Sequence, residues 1–257
     1  MLLVCVLFRF IQLPEESWQF NVLGSPLEIR ITGTWFLVAL LAALVGMGTR
    51  YVLLGHPAAL SAQLPRPLYI SWVLPILLGG MCAYLIATAP IDGVWAAGLV
   101  AGGMVIGLAV AAEFGALSID APSYAISRLA LNVLAYLLAF AFFYVTYSTR
   151  ARSIITASSI TVVAFLIALD LLSVADVSVT RVALYAGIIA LIVGQVTWAL
   201  NYWRLGSWSG SLALLVVFYL SSGITHQYLL ERLNLRVLFE FGIVAMLVLL
   251  ATLLFAP

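Results

Sequence analysis

Eight apolar stretches, each about as long as a membrane-spanning helix, dominate this chain of 257 residues. An α-helix rises 1.5 Å per residue, so about 20 apolar residues cross the roughly 30 Å hydrocarbon core of a bilayer. Hydrophobic residues make up 65% of the sequence and charged residues only 8%, which is more apolar than an ordinary soluble domain. The sequence therefore predicts an all-α, polytopic membrane helix bundle of about eight transmembrane helices. The stretches cover residues 33–54, 68–89, 93–117, 127–148, 152–173, 180–203, 209–230 and 236–256.

Residues 1–32 precede the first span and are expected to form an interfacial segment. The first thirteen are apolar but too short to span, and they lack a basic n-region, so no signal peptide is expected. Apolar residues then alternate over 18–31, which predicts a β-hairpin that turns at Gly24-Ser25. An irregular amphipathic lead-in is the alternative. Because the later loops are short, residues 33–257 are expected to form one eight-helix transmembrane domain. The alternating residues are Trp18, Phe20, Val22, Leu27, Ile29 and Ile31.

The residue types that are missing or scarce exclude several chemistries. All 11 basic residues are arginines, and the absence of lysine excludes Schiff-base chemistry and a P-loop. Cys5 and Cys82 lie far apart and are expected to be free thiols. Two histidines cannot supply the three protein ligands usual for catalytic zinc, although His226 alone could be an axial ligand to a haem or pigment. We predict no cofactor and no metal, and a net charge of +1 predicts no nucleic-acid partner.

Ionisable groups inside the spans collect near one membrane face. Eight spans place both termini on one face, side A, and counting along the spans puts these groups near the opposite face, side B. Charges cost about 2.5–3.5 kcal/mol at the centre of a membrane helix on insertion scales, so they usually face protein or water and find partners. They form a candidate polar cluster, and the alternative is a girdle of interfacial ion pairs that only fixes helix ends. The cluster comprises Glu113, Asp170, His226, Glu240, Arg128 and Arg181.

The third span contains a second candidate feature, two glycine pairs at helical spacing. Gly98 and Gly102 form one pair, and Gly103 and Gly107 form the other. Small residues four positions apart allow the backbones of membrane helices to approach closely. The partner helix could lie within the bundle, in a partner membrane subunit, or in a second copy of the chain.

Membrane orientation is weakly marked in the sequence. Five arginines lie near side A and six near side B, so the positive-inside rule does not decide. The basic turn Thr149–Arg152 on side A favours cytoplasmic termini. Tryptophans gather on side A, as expected of an interfacial belt. They are Trp18, Trp35, Trp95, Trp198, Trp203 and Trp208.

Three stretches resemble an uncharacterised family of bacterial multi-pass membrane proteins, a domain of unknown function. They are LGSPLEIRITGTW over 23–35, YSTRARSIIT over 147–156 and TWALNYW over 197–203. The resemblance implies a multi-pass protein of the bacterial cytoplasmic (inner) membrane. It implies no catalytic or binding residues.

Three functions agree with these features. The first is a non-enzymatic membrane subunit or scaffold, the second a transporter or channel for a small solute or protons, and the third an intramembrane enzyme acting on a lipid. A water-filled cavity that reaches the cluster would favour the second or third. A closed cluster, with the third helix exposed to lipid or protein, would favour the first.

Overall fold

In the computed structural model, eight long helices follow a short β-hairpin. The structure describes residues 16–22, 25–60, 68–90, 93–118, 120–149, 152–173, 177–203, 205–232 and 234–254. The helices are α1 (Gly33–Leu54), α2 (Val73–Thr88), α3 (Gly93–Gly115), α4 (Tyr124–Ser148), α5 (Ser153–Leu172), α6 (Val179–Tyr202), α7 (Ser207–Leu229) and α8 (Leu235–Leu254).

The helices confirm the predicted all-α membrane bundle. Among the described residues, seven segments can cross a membrane by length and composition, namely α1, α3 to α7, and Ile70–Thr88, which contains α2. Helix α8 lies within a residue or two of the eighth predicted span. Helix α2 begins later than predicted, because a 3-10 turn over Ile70–Trp72 precedes it. Helix α4 begins earlier, at Tyr124, and so takes in residues that the sequence assigned to a loop.

Four helices form the centre of the bundle. Helices α2, α4, α5 and α7 each pack against four other helices, whereas α3 packs against three, α8 mainly against α7 and α1 mainly against α2. Phe143 of α4 and Phe218 of α7 are fully buried there. Their rings meet edge to face, with centroids 6.0 Å apart, an arrangement that aromatic pairs prefer. The long apolar faces of the peripheral helices are thus left for lipid.

Contacts near the helix ends define the two faces of the bundle. On side B, the ring of His56, just after α1, packs against Phe114 at the end of α3, with centroids 4.5 Å apart. On side A, Tyr147 at the end of α4 contacts Gly210 at the start of α7. Trp208 is also on side A and is exposed, as an interfacial anchor should be.

The β-hairpin pairs β1 (Glu16–Val22) with antiparallel β2 (Ser25–Ile31). Its register places Phe20 opposite Leu27 and Val22 opposite Ser25. Ser25 therefore belongs to β2, whereas the sequence predicted it as a residue of the turn at Gly24-Ser25. The prediction was wrong there because Ser25 is already paired as the first residue of β2. Residues 1–15, including the apolar start of the chain, lie outside the described residues.

Helix α7 ends in a geometry that favours glycine but carries a glutamate. The N–H of Glu231 donates to the Tyr228 carbonyl and the N–H of Arg232 to the Gln227 carbonyl, the pattern of a Schellman cap. Glu231 takes a φ of 56°, a left-handed conformation that costs a residue with a side chain about 1–2 kcal/mol.

We therefore expect Glu231→Gly to raise the free energy of unfolding by about 1 kcal/mol, because glycine adopts this conformation without the steric cost. Thermal unfolding in detergent measures the change. Glu231→Ala is the matched control, since it removes the charge and keeps the side-chain penalty. Equal stabilisation by both substitutions would show that the charge of Glu231, and not its backbone, opposes folding.

Candidate functional site

The predicted cluster residues lie near the side B ends of their helices, but their environments differ. Glu113 is two residues before the end of α3 and Asp170 two before the end of α5. His226 occupies the last turn of α7 and Arg128 the fifth position of α4. Glu240 lies early in α8. The helix boundaries thus place these residues near the helix ends that the sequence assigned to side B.

The two carboxylates of α3 and α5 are closed off from the surroundings of the protein. Glu113 is 0% exposed and Asp170 is 2% exposed. Each interacts with another group of the chain. Ser173, also buried, donates its hydroxyl hydrogen bond to the Asp170 carbonyl at 2.7 Å and caps the end of α5. In the described part of the chain, the acidic side chains with the deepest burial are thus enclosed by the bundle.

A basic pair lies where α4 meets α7. Arg128 and His226 are both half-buried, and they lie close enough for the arginine charge to act on the imidazole. Ser127, the residue before Arg128, is buried against Gly115 at the end of α3. The first turn of α4 therefore links the end of α3, which carries Glu113, to the end of α7. That two cluster carboxylates contact an arginine or His226 stays a prediction.

The remaining two members of the predicted cluster lie on its rim. Arg181 and Glu240 are both exposed. One turn after Arg181, Tyr185 packs against Tyr228 of α7, with ring centroids 5.8 Å apart, and the charge of Arg181 reaches the Tyr185 hydroxyl. The six residues thus differ in their environments. They divide into enclosed acids, a half-buried basic pair and an exposed rim.

Sequence reasoning missed the contribution of the 3-10 turn before α2. Ser71 is fully buried, and neither its hydroxyl nor the indole N–H of Trp72 has a hydrogen-bond partner among the described residues. The guanidinium of Arg50 lies over the Trp72 ring, 5.5 Å from its centroid. This cation–π contact fastens α1 to the start of α2 on side B. The sequence signals for this contact were Arg50, four residues before the end of α1, and Trp72 within the next apolar run.

A polar contact deep in the bundle joins α4 to α7. The hydroxyls of Tyr136 and Ser222 lie 3.1 Å apart. The Ser222 hydroxyl is also 2.6 Å from the Phe218 carbonyl of its own helix. Ser222 thus joins two helices, as an interhelical hydrogen bond in a membrane does.

The two glycine pairs of α3 serve different faces. At 3.6 residues per turn, Gly98 and Gly107 point in directions about 180° apart. Gly102 is buried, and a Cβ there would lie 3.4 Å from the Cys82 sulfur of α2. A Cβ at Gly98 or Gly107 would meet nothing within 4 Å in the part of the chain that the structure describes. Gly102 therefore contacts a neighbouring helix, while no described residue covers Gly98 or Gly107.

The outer face of α3 is the surface formed by Gly103, Gly107 and Ala111. These small residues follow one another at four-residue spacing. Gly103 is half-buried, and Gly107 and Ala111 are exposed. The large side chains of Val100 and Met104, both exposed, flank it. The α3 backbone is therefore exposed along Gly107 and Ala111.

Comparison with known proteins gives a match to a family model. The model of a family described as "Protein of unknown function (DUF5656)" matches residues 13–255. No curated protein and no solved structure matches the chain.

Proposed function

The chain belongs to the DUF5656 family of proteins of unknown function, and we propose that it is a non-enzymatic membrane subunit or scaffold that docks a partner helix on the outer face of α3. The partner is a helix of another membrane subunit or of a second copy. The proposed location is the bacterial cytoplasmic membrane, with both termini in the cytoplasm. The basic turn between α4 and α5 on side A supports that orientation.

The observation that carries the proposal is the exposure of the small residues on α3. In its most apolar window of 18 residues, 28% of the positions are buried, against 33 to 56% in the other six helices that can span. A helix surrounded only by lipid gains nothing from glycine, which destabilises helix interiors by about 1 kcal/mol relative to alanine. Against a partner helix, glycine allows close backbone contact, which is a main source of association energy in lipid.

The enclosed carboxylates support the same proposal. Glu113 and Asp170 are both closed off from solvent and lipid by the bundle. A substrate or a hydrated ion would have to reach such groups before they could act on it. Buried and engaged with the rest of the chain, they serve to hold the side B ends of α3 and α5 in place.

We expect Gly107→Leu to weaken association with the partner at least about tenfold, which is about 1.4 kcal/mol. The leucine side chain would occupy the space that a partner helix needs beside the α3 backbone. The fold should persist, since a Cβ there meets no described residue within 4 Å. The readout is native mass spectrometry of the complex extracted from its own membrane, together with thermal unfolding of the purified protein.

Gly48→Leu on α1 is the matched control, because Gly48 is also exposed and has open space around it. It should leave both the complex and the unfolding temperature unchanged. The proposal fails if Gly107→Leu retains the wild-type complex, or if the wild-type protein leaves its membrane as a monomer without a partner.

A transporter for protons or a small solute is the second candidate. The burial of two carboxylates at membrane depth favours it, because ionisable groups inside membrane domains often mark ion paths. Wild-type protein in vesicles would then dissipate an imposed pH gradient faster than empty vesicles, and Asp170→Asn would abolish the difference. A pH gradient that decays equally in both kinds of vesicle eliminates proton transport.

A further inference from the structure

The side B end of α6 carries an exposed cation. Arg181 is the third residue of α6 and is exposed. No acidic side chain among the described residues pairs with it, and the group that its charge reaches is the hydroxyl of Tyr185. A guanidinium carries five N–H donors and accepts no hydrogen bond, so it is suited to an anion with several oxygens.

Two tyrosines complete a set of donors beside this cation. Tyr185 is half-buried and Tyr228 is 56% exposed, and their rings meet edge to face. Two phenol hydroxyls form at most one hydrogen bond with each other at a time, so at least one O–H remains for another acceptor. Arg181, Tyr185 and Tyr228 thus present a positive charge and a hydroxyl donor at one membrane face.

An apolar stripe runs from this set of donors towards the middle of the membrane. Leu184, Ile188 and Leu191 share the face of Arg181 on α6, and they are 60%, 46% and 60% exposed. From Arg181 to Leu191 the helix rises about 15 Å. That length is half of the roughly 30 Å hydrocarbon core, which is one leaflet.

We infer that Arg181, Tyr185 and Tyr228 bind the phosphate of an anionic phospholipid in the side B leaflet, with its acyl chains along the stripe on α6. An anionic lipid headgroup and a free phosphate ion both carry a phosphate with a net negative charge. The apolar stripe on α6 favours the lipid. A zwitterionic lipid fits less well, because its own ammonium group would lie near Arg181. This inference does not depend on the outer face of α3.

The test uses the full chain in detergent, with phosphatidylglycerol, phosphatidylcholine or inorganic phosphate added in separate titrations. Native mass spectrometry counts bound lipids, and thermal unfolding reports ligand binding, since a ligand that binds the folded state stabilises it. We expect phosphatidylglycerol to bind the wild type more tightly than phosphatidylcholine does. Arg181→Gln should weaken phosphatidylglycerol binding at least about fivefold.

Arg152→Gln is the matched control, because Arg152 is also exposed but lies at the side A end of α5. It should bind phosphatidylglycerol as the wild type does. If Arg181→Gln does not fold, Tyr228→Phe replaces it, since this change removes only a hydroxyl and should weaken binding measurably. Stabilisation by inorganic phosphate alone, lost in Arg181→Gln, would assign the site to a soluble phosphate and overturn the lipid. Equal phosphatidylglycerol binding by Arg181→Gln and the wild type would overturn the site itself.

Discussion

Replacing Gly79 with leucine is expected to destabilise the folded protein by about 3 kcal/mol, at the upper end of the usual cost of overpacking. Gly79 lies where α2 crosses α1. A Cβ there would sit 2.9 Å from the Val45 Cγ2 atom and 3.5 Å from the Leu41 carbonyl oxygen. The Val45 contact is shorter than real Cβ atoms make, so the helices would have to separate. Their separation would lose dispersion contacts along the crossing.

The free energy of unfolding in mixed detergent measures this effect. Gly48→Leu is again the control, because it changes the same residue types on a surface with nothing within 4 Å. The control also accounts for the better helix propensity of leucine, which is worth up to about 1 kcal/mol. A Gly79→Leu protein as stable as Gly48→Leu would show that α1 and α2 do not cross at this glycine.

The second large effect is expected at Asp170. Asp170→Ala should lower the free energy of unfolding by about 1–3 kcal/mol, because it removes a buried polar side chain from the packed interior. Asp170 is 2% exposed and interacts with another group of the chain. In the alanine variant, a water molecule could take the place of the carboxylate only if the packing leaves enough space for it.

Asp120→Ala provides the comparison, since Asp120 is an exposed residue in the side B connection between α3 and α4. It should change stability by no more than about 0.5 kcal/mol, as surface substitutions usually do. Equal effects of the two substitutions would mean that the Asp170 carboxylate contributes nothing to folding. A structural role for the enclosed acids would then be lost, and the transporter would gain support.

The two proposed sites occupy different parts of the bundle, and binding at one should not depend on the other. The outer face of α3 would bind a protein helix through shape, since its glycines offer close approach and no charge. The site on α6 would bind through charge, since Arg181 and the tyrosines lie at the level of lipid phosphates. Gly107→Leu should therefore leave phosphatidylglycerol binding unchanged. Arg181→Gln should likewise leave the complex intact.

The sequence by itself determined the helices and the position of each ionisable group along its helix. Each span needs a run of about 20 apolar residues, a constraint imposed by bilayer thickness that can be read one segment at a time. Counting along such a run also gives depth, which is why Glu113 and Asp170 could be assigned to side B. The period of two over 18–31 similarly indicated paired strands. It assigned Ser25 to the turn and not to β2, because the register depends on how the two strands pair.

Only the tertiary structure decided which side of each helix faces the protein. In a chain this apolar, lipid-facing and core-facing residues have similar composition, because lipid is as apolar as a protein interior. The spacing of Gly102 and Gly107 places them on different faces of α3, but the contact with Cys82 was needed to show which face is internal. The pairing of Tyr185 with Tyr228 joins residues 43 positions apart, and no local pattern encodes that contact. Local periodicity fixes depth and direction along a helix, whereas neighbours in space fix its rotation.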